Sequence, residues 1–469
     1  MARLQLIPFL GLVQWLSLLP IVSGAPPPAV PAPRVLNHLP HTAAAEDIDA
    51  LIADLRAEAS IDSYVHFGDS YAAGLGAGET SSDSCRRGSN NYGALAAEVI
   101  KPKDFYSVPC SGDTTKGVNL QIDGWAEKKK EGRRVVSTLT VGGNDVLFGD
   151  MAKNCLITPG LGASSSSEKY REDCLATQKK ARDLMEDSGP DGLGAKLMAT
   201  YGRILDIAES SQNVTWAHLF VPGYVSFFND NTEDCDFTTF YLWEPTWDKE
   251  KTCCKVYLSR EIRKELNGLV QMLNNLIEDT ISRTNAARGS QNIHYIDMQP
   301  HFDGHRWCET NGDTYHEPDE NVESTYFFLS DWKDFPIERQ GRAARVDASN
   351  TKRAAEVAEF MDNGGIQLPP AETCQQDLGS DPDPYAVYMC ERSIEIAAAP
   401  NGPAAQRMDR ATTAMNDGDV HSQDIGWFIP TEKVKTFHPR SPGMVLYRNS
   451  VISALVKELQ ASREALHLA

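Results

Sequence analysis

Positive charge is scarce in this 469-residue chain: 45 lysines and arginines stand against 65 aspartates and glutamates, a formal net charge of −20. Such a surface repels phosphate backbones and anionic lipid headgroups, which excludes nucleic acid and an anionic membrane face as partners of the whole molecule. A neutral or cationic ligand fits better. The one basic run, KKKEGRR at residues 128–134, precedes the apolar VVSTLTVGG and reads as the solvated end of a helix plus a turn. Internal repeats are missing, which excludes a repeat array. Beyond the first two dozen residues no apolar run is long enough to span a bilayer, so stable membrane insertion of the mature chain is not expected.

The first residues do carry such a run. MARLQLIPFLGLVQWLSLLPIVSGA has Arg3, a long apolar stretch and small residues at Ser23, Gly24 and Ala25, the pattern of a secretory signal peptide. A retained membrane anchor is the alternative, although Gln5, Gln14 and Pro20 interrupt the run. Ten cysteines in a chain with an export signal read as up to five disulfides in an oxidising compartment. Sequence proximity suggests Cys85 with Cys110, Cys155 with Cys174, and Cys374 with Cys390, leaving Cys235, Cys253, Cys254 and Cys308 to pair among themselves. Asn213-Val-Thr215 is a glycosylation sequon and makes sense only outside the cytosol. These signals predict a secreted, extracellular protein.

The segment at 25–41 is proline-rich and predicts an extended linker or propeptide, and apolar spacing over 42–59 predicts a helix. Short apolar runs at 63–67, 135–141, 214–221 and 292–297 alternate with helical stretches around NYGALAAEVI, LGAKLMATYGRILDIAESS and LSREIRKELNGLVQMLNNLIEDTISRT. That alternation predicts an α/β fold, a doubly wound and mostly parallel sheet with helices on both faces. Ligands of such sheets bind beyond the carboxyl ends of the strands. From 304 to 430 the pattern dissolves into polar, proline- and glycine-rich sequence with Cys374 and Cys390, read as a disulfide-tied insertion that walls the site. Residues 42–303 and 431–469 then form the core, and SPGMVLYRNSVISALVKELQ closes it as a helix.

Four stretches carry chemistry. YVHFGDSYAAGLG puts Ser70 in a glycine turn at the end of the first strand, VPCSGDTT supplies Gly112, TVGGND ends a strand with Asn144, and TFHPRSPG brings His438 just ahead of the last helix. G-D-S alone is a common turn tripeptide. The ordered set of Ser, Gly, Asn and His resembles the SGNH hydrolases, the esterase and lipase family also called GDSL. YVHFGDSYAAGLG, CSG and YIDMQPHFDGHRWC are most similar to its secreted SEST-like branch. The resemblance covers about residues 63–296 and again 436 onward, and implies a flavodoxin-like three-layer fold.

A serine hydroxyl is a poor nucleophile without a base, and His438 can take its proton. The resemblance implies an oxyanion hole made of the Ser70 amide, the Gly112 amide and the Asn144 side chain, with Gly112 required as glycine because a side chain would crowd the acyl group. Most of the family has Asp three residues before the histidine; here that position is Lys435, whose cation cannot stabilise an imidazolium. His438 is then oriented by the Lys435 main-chain carbonyl, as the SEST-like resemblance implies, by a distant acid such as Asp419, Asp424 or Asp297, or by nothing. Asp69 and Asp145 read as turn-fixing residues. His301, His305 and Cys308 could mimic a zinc site, but export favours Cys308 in a disulfide, and Tyr241, Trp243 and Trp247 read as loop packing or a groove lining. The expectation is a monomeric serine esterase or lipase without metal or organic cofactor, acting on a small-molecule or polymeric ester, lipid or acylated polysaccharide. The alternative is an inactive SGNH-fold protein that binds carbohydrate or lipid.

Overall fold

The computed structural model describes residues 60–81, 85–157, 167–233, 235–236, 257–309, 325–329, 334–335, 337–339, 342–343 and 435–468, together with Ala53. Apart from Ala53, the expected leader, linker and first helix lie outside these residues. So do Tyr241, Trp243, Trp247, Cys253, Cys254, Cys374, Cys390, Asp419 and Asp424.

Strand β1 (Ser63–Gly68) is buried along its whole length. Alternation sends Tyr64 and His66 to one face of the sheet and Val65 and Phe67 to the other. β3 (Arg134–Thr140) is buried after its first residue, and β4 (Trp216–Pro222) and β5 (Ile293–Ile296) continue the sheet. β2 (Asp104–Ser107) is a strand the sequence pattern does not show. Four residues long and half exposed, it forms the edge, where a polar DFYS suffices because only one neighbour must be matched. The order is β2-β1-β3-β4-β5 and every pairing is parallel, the flavodoxin-like arrangement.

A one-turn α1 (Ser70–Ala73) follows β1. Helices α2 (Tyr92–Ile100), α3 (Thr115–Lys128), α4 (Phe148–Ala152), α5 (Ser167–Glu186), α6 (Leu193–Glu209), α7 (Arg260–Arg288) and α8 (Ser441–Leu468) complete the layers. α2 and α8 pack together on one face, while α6 packs between α3 and α7 on the other. On the second face Trp125 of α3 meets Phe67 edge-on, with ring centres 5.5 Å apart, a geometry that adds to the area the two rings bury. α7 starts where the Ser259 side chain accepts the Ile262 N–H and stops at Gly289, whose φ of 64° ends the helix.

The basic run behaves as its surroundings predict, with one addition. α3 ends at Lys128, and the Lys129 ammonium donates to the Ile207 and Ala208 carbonyls at 2.6 and 3.0 Å, at the carboxyl end of α6. Disulfides join Cys85–Cys110, Cys155–Cys174 and Cys235–Cys308. The last uses Cys308 and so removes it from any zinc site with His301 and His305.

Part of 304–430 is regular. Residues 325–329 lie against the His438 loop: Phe437 N–H donates to the Phe328 carbonyl (2.8 Å), Phe328 N–H to the His438 carbonyl (2.9 Å) and Arg440 N–H to the Tyr326 carbonyl (2.7 Å). β6 (Glu338–Arg339) and β7 (Arg342–Ala343) form a short antiparallel pair. Main-chain pairing over a few residues needs no periodic side chains, so the sequence pattern does not show these pairs.

Candidate active site

The strand order reverses between β1 and β3, and the crevice beyond their carboxyl ends is where this topology leaves room for a ligand. Gly68 turns the chain there with φ of 137°, and a Cβ on it would stand 2.3 Å from the Thr140 carbonyl oxygen. Its glycine is thus demanded by the close approach of β3, not by a ligand. Asp69 caps α1 by accepting the Tyr71 N–H at 3.0 Å, as its turn position predicts, and it also receives the Tyr224 hydroxyl. Full burial lifts the Asp69 pKa to about 7, against the pull of those hydrogen bonds. Beneath the turn His66 donates from Nε2 to the Ala72 carbonyl (2.8 Å) and accepts the Thr138 hydroxyl at Nδ1 (2.8 Å). Desolvation depresses its pKa to about 4, so it stays neutral.

The second and third loops are stitched to the first. Gly112 has φ of 91°, a region costly for any side chain; the glycine is required by the turn itself rather than by crowding of a ligand alone. Neither the Ser70 nor the Gly112 N–H has a partner among the described residues. Asn144 spends one Nδ2 proton on the Asp113 carbonyl (2.9 Å), which fixes its amide and leaves the second proton for another acceptor. Gln121, which the sequence does not flag, accepts from Gly68 N–H (3.0 Å) and donates to the Gly68 carbonyl (2.8 Å) and Asp113 carboxylate (2.6 Å). The Asp145 carboxylate receives the Thr115 N–H (3.0 Å) and hydroxyl (2.7 Å), so it caps α3 from across the site.

His438 approaches from the end of the chain. Its Nε2 lies 2.7 Å from Ser70 Oγ. Its Nδ1 faces the carbonyls of Thr436 at 3.1 Å and Lys435 at 3.2 Å. Carbonyls only accept, so the ring proton sits on Nδ1 and Nε2 is left to accept from Ser70. Two carbonyls thus stand where one was expected. Asp297 is exposed and receives the Gln299 N–H at 3.0 Å, so it is not the orienting acid. The Lys435 ammonium lies over the Phe328 ring, 4.5 Å from its centre. Desolvation brings the His438 pKa down to about 4, with the two carbonyls opposing. The ring is therefore a neutral base at neutral pH.

The loop that holds His438 is strained and buttressed. Phe437 is a buried non-glycine residue with φ of 67°, a conformation that persists only when its surroundings impose it. Its carbonyl receives the Tyr71 hydroxyl at 2.9 Å, a direct tie from α1 to the His438 loop. Buried Asp334 receives the Ser441 N–H (2.8 Å), the Ser441 hydroxyl and the Gly78 N–H (2.7 Å), capping α8 and joining it to the β1 side. Tyr71, Tyr224, Gln121 and Asp334 had no sequence signal beyond the Tyr71 position beside Ser70. Next to His438 an apolar cavity of about 40 Å³ opens, lined among others by Val146, Phe148, Met151, Phe227, Leu273 and Phe437. The Phe148 ring meets the His438 ring edge-on at 6.4 Å.

No family model matches the chain. Among curated proteins it is 28% identical over 275 residues to Lipase 1 of Streptomyces coelicolor, covering 58% of this chain and 83% of that protein. It is 29% identical over 248 residues to a lipase of Streptomyces rimosus, covering 52% and 73%. The chain resembles the SGNH, or GDSL, hydrolases, and these curated relatives are lipases. The chain is a carboxylic ester hydrolase. Similar solved structures include phospholipase A1 from Streptomyces albidoflavus NA297, 23% identical, covering 62% of this chain and 94% of that one with a TM-score of 0.37. Another is the extracellular lipase of S. rimosus, 25% identical, covering 56% and 91%, with a TM-score of 0.37.

Proposed function

We propose that this chain is a secreted serine esterase of the SGNH type that acts on lipid esters through an acyl-enzyme on Ser70. The observation that carries the reading is the 2.7 Å contact between Ser70 Oγ and His438 Nε2, with Nδ1 held by main-chain carbonyls. As the hydroxyl attacks the ester carbonyl, His438 takes its proton, and the dipoles of the Lys435 and Thr436 carbonyls stabilise the imidazolium. The Ser70 and Gly112 amides and the Asn144 side chain receive the oxyanion. His438 then protonates the departing alcohol, and water repeats the sequence on the acyl-enzyme.

The apolar cavity beside His438 supports an acyl chain rather than a sugar as the group placed there. The names of the relatives, lipases and a phospholipase A1, agree with that choice. Removal of the leader at residues 1–24 and a glycan on Asn213 complete the reading; Asn213 is exposed in the turn before β4. Labelling by a fluorophosphonate probe tests the mechanism: it should vanish in Ser70→Ala and in His438→Ala and survive in Asp424→Asn and Asp419→Asn. Labelling lost in either aspartate variant sinks the dyad, and no labelling of the wild type favours an inactive binding protein. A panel of acylglycerol, phospholipid and acetylated glycan esters tests the substrate, and preference for the glycans overturns the lipid assignment.

A further inference from the structure

Toward the amino ends of β4 and β5, away from Ser70, three side chains from three elements converge. His218 is on β4, His294 on β5 and Glu458 on α8. His218 Nδ1 lies 2.8 Å from His294 Nε2, with the two rings parallel to within 4°. His294 Nδ1 lies 3.5 Å from Glu458 Oε1. One nitrogen of each imidazole and one oxygen of Glu458 fall within 4.8 Å of one another.

The rings are held in place. Trp216 stacks on His218 with centres 3.9 Å apart and is itself tied to α8 by donating to Ser462 Oγ at 3.0 Å. Phe220 stacks on His294 at 4.9 Å. The mechanism at Ser70 uses none of these groups.

We propose that His218, His294 and Glu458 form a binding site for a divalent transition cation of the zinc type, which clips α8 to β4 and β5. Two imidazoles and a carboxylate are a borderline-soft donor set that suits zinc, whereas calcium and magnesium demand oxygen ligands throughout. Bonds of about 2.0–2.2 Å in a tetrahedron place donors roughly 3.3 Å apart. The facing nitrogens need to part by about 0.5 Å to reach that spacing, and the Glu458 carboxylate, which stands on the Nδ1 side of His294, has to swing toward that pair. The fourth position falls to water. His294 and Glu458 side chains are 16% and 26% exposed, which leaves a way in for the cation.

The clip matters because α8 begins three residues after His438, so whatever fixes α8 also fixes the base. The test is titration of tag-free, full-length protein with Zn²⁺ alone by calorimetry at neutral pH, with Co²⁺ absorption as a second readout. The expected result is one saturable equivalent, a tetrahedral Co²⁺ spectrum and a raised melting temperature. His294→Gln and Glu458→Gln should each weaken binding by about tenfold or more. Glu458→Gln changes a partly exposed helix residue and keeps the test open should His294→Gln fail to fold. Absence of a saturable equivalent in the wild type overturns the site, as does unchanged binding in folded Glu458→Gln together with folded His218→Gln.

Discussion

Ser70 and His438 touch, yet the structures that hold them differ in kind. Ser70 stands at the end of a fully buried strand, in a turn whose conformation is dictated by the approach of β3 to Gly68. His438 stands on a loop between elements, held by main-chain bonds to 325–329, by the Tyr71 hydroxyl and by the Asp334 cap of α8. Ser70 is placed by regular structure and His438 by a handful of long-range contacts. A strand end is rigid because every neighbour shares its hydrogen bonds, whereas a clamped loop is only as well placed as its few partners.

The largest expected effect treats the two halves as one unit. Ser70→Ala and His438→Ala should each lower kcat on the order of 10⁶-fold, and the double variant should fall no further. Additive losses in a steady-state assay would mean that the halves act separately. Next, Asn144→Ala removes a donor on the sheet side and should cost about 10²–10³ in kcat with KM nearly unchanged. A loss confined to KM would assign Asn144 to binding.

Asp334→Ala strikes only the clamp. It orphans the buried Gly78 and Ser441 amides, so denaturant unfolding should show a loss of about 1–3 kcal/mol, with kcat reduced as the His438 loop loosens. Unchanged stability and rate would show that 325–329 alone suffices. The smallest effect is in the pH profile. His438 must be neutral to act, and its pKa lies at about 4 rather than 6.5. The acid limb of kcat/KM should therefore fall near 4, leaving at pH 5.5 about tenfold more activity than an ordinary histidine base allows. Stability follows with the same sign. Below 6.5 the unfolded chain takes up a proton that folded His438 and His66 refuse until about 4, so stability declines as pH falls through that window. An acid limb near 6.5 would mean that water reaches the clamp.

Much of the Ser70 half was legible in the primary structure. β1, β3, β4 and β5 are short apolar runs between helical stretches, and that alternation leads to a doubly wound sheet with Ser70 and Asn144 at strand ends. β2 escaped because an edge strand need not be apolar. Within 304–430, residues 325–329 and Asp334 escaped because a single buried carboxylate and a few main-chain bonds leave no periodicity. Gln121 and Tyr224 escaped for a related reason: each matters through a partner 53 or 155 residues away in the chain.

Local pattern by itself determined the class of fold, the order of the four reactive blocks and the absence of an acid at position 435. Each of these depends on spacing of 2 or 3.6 residues or on one residue's chemistry. Only the tertiary structure decided that two carbonyls orient His438, that Asp145 caps a helix across the site, and that His218, His294 and Glu458 meet. Such contacts join residues remote in sequence, and their energies depend on burial and distance that exist only once the chain has closed on itself.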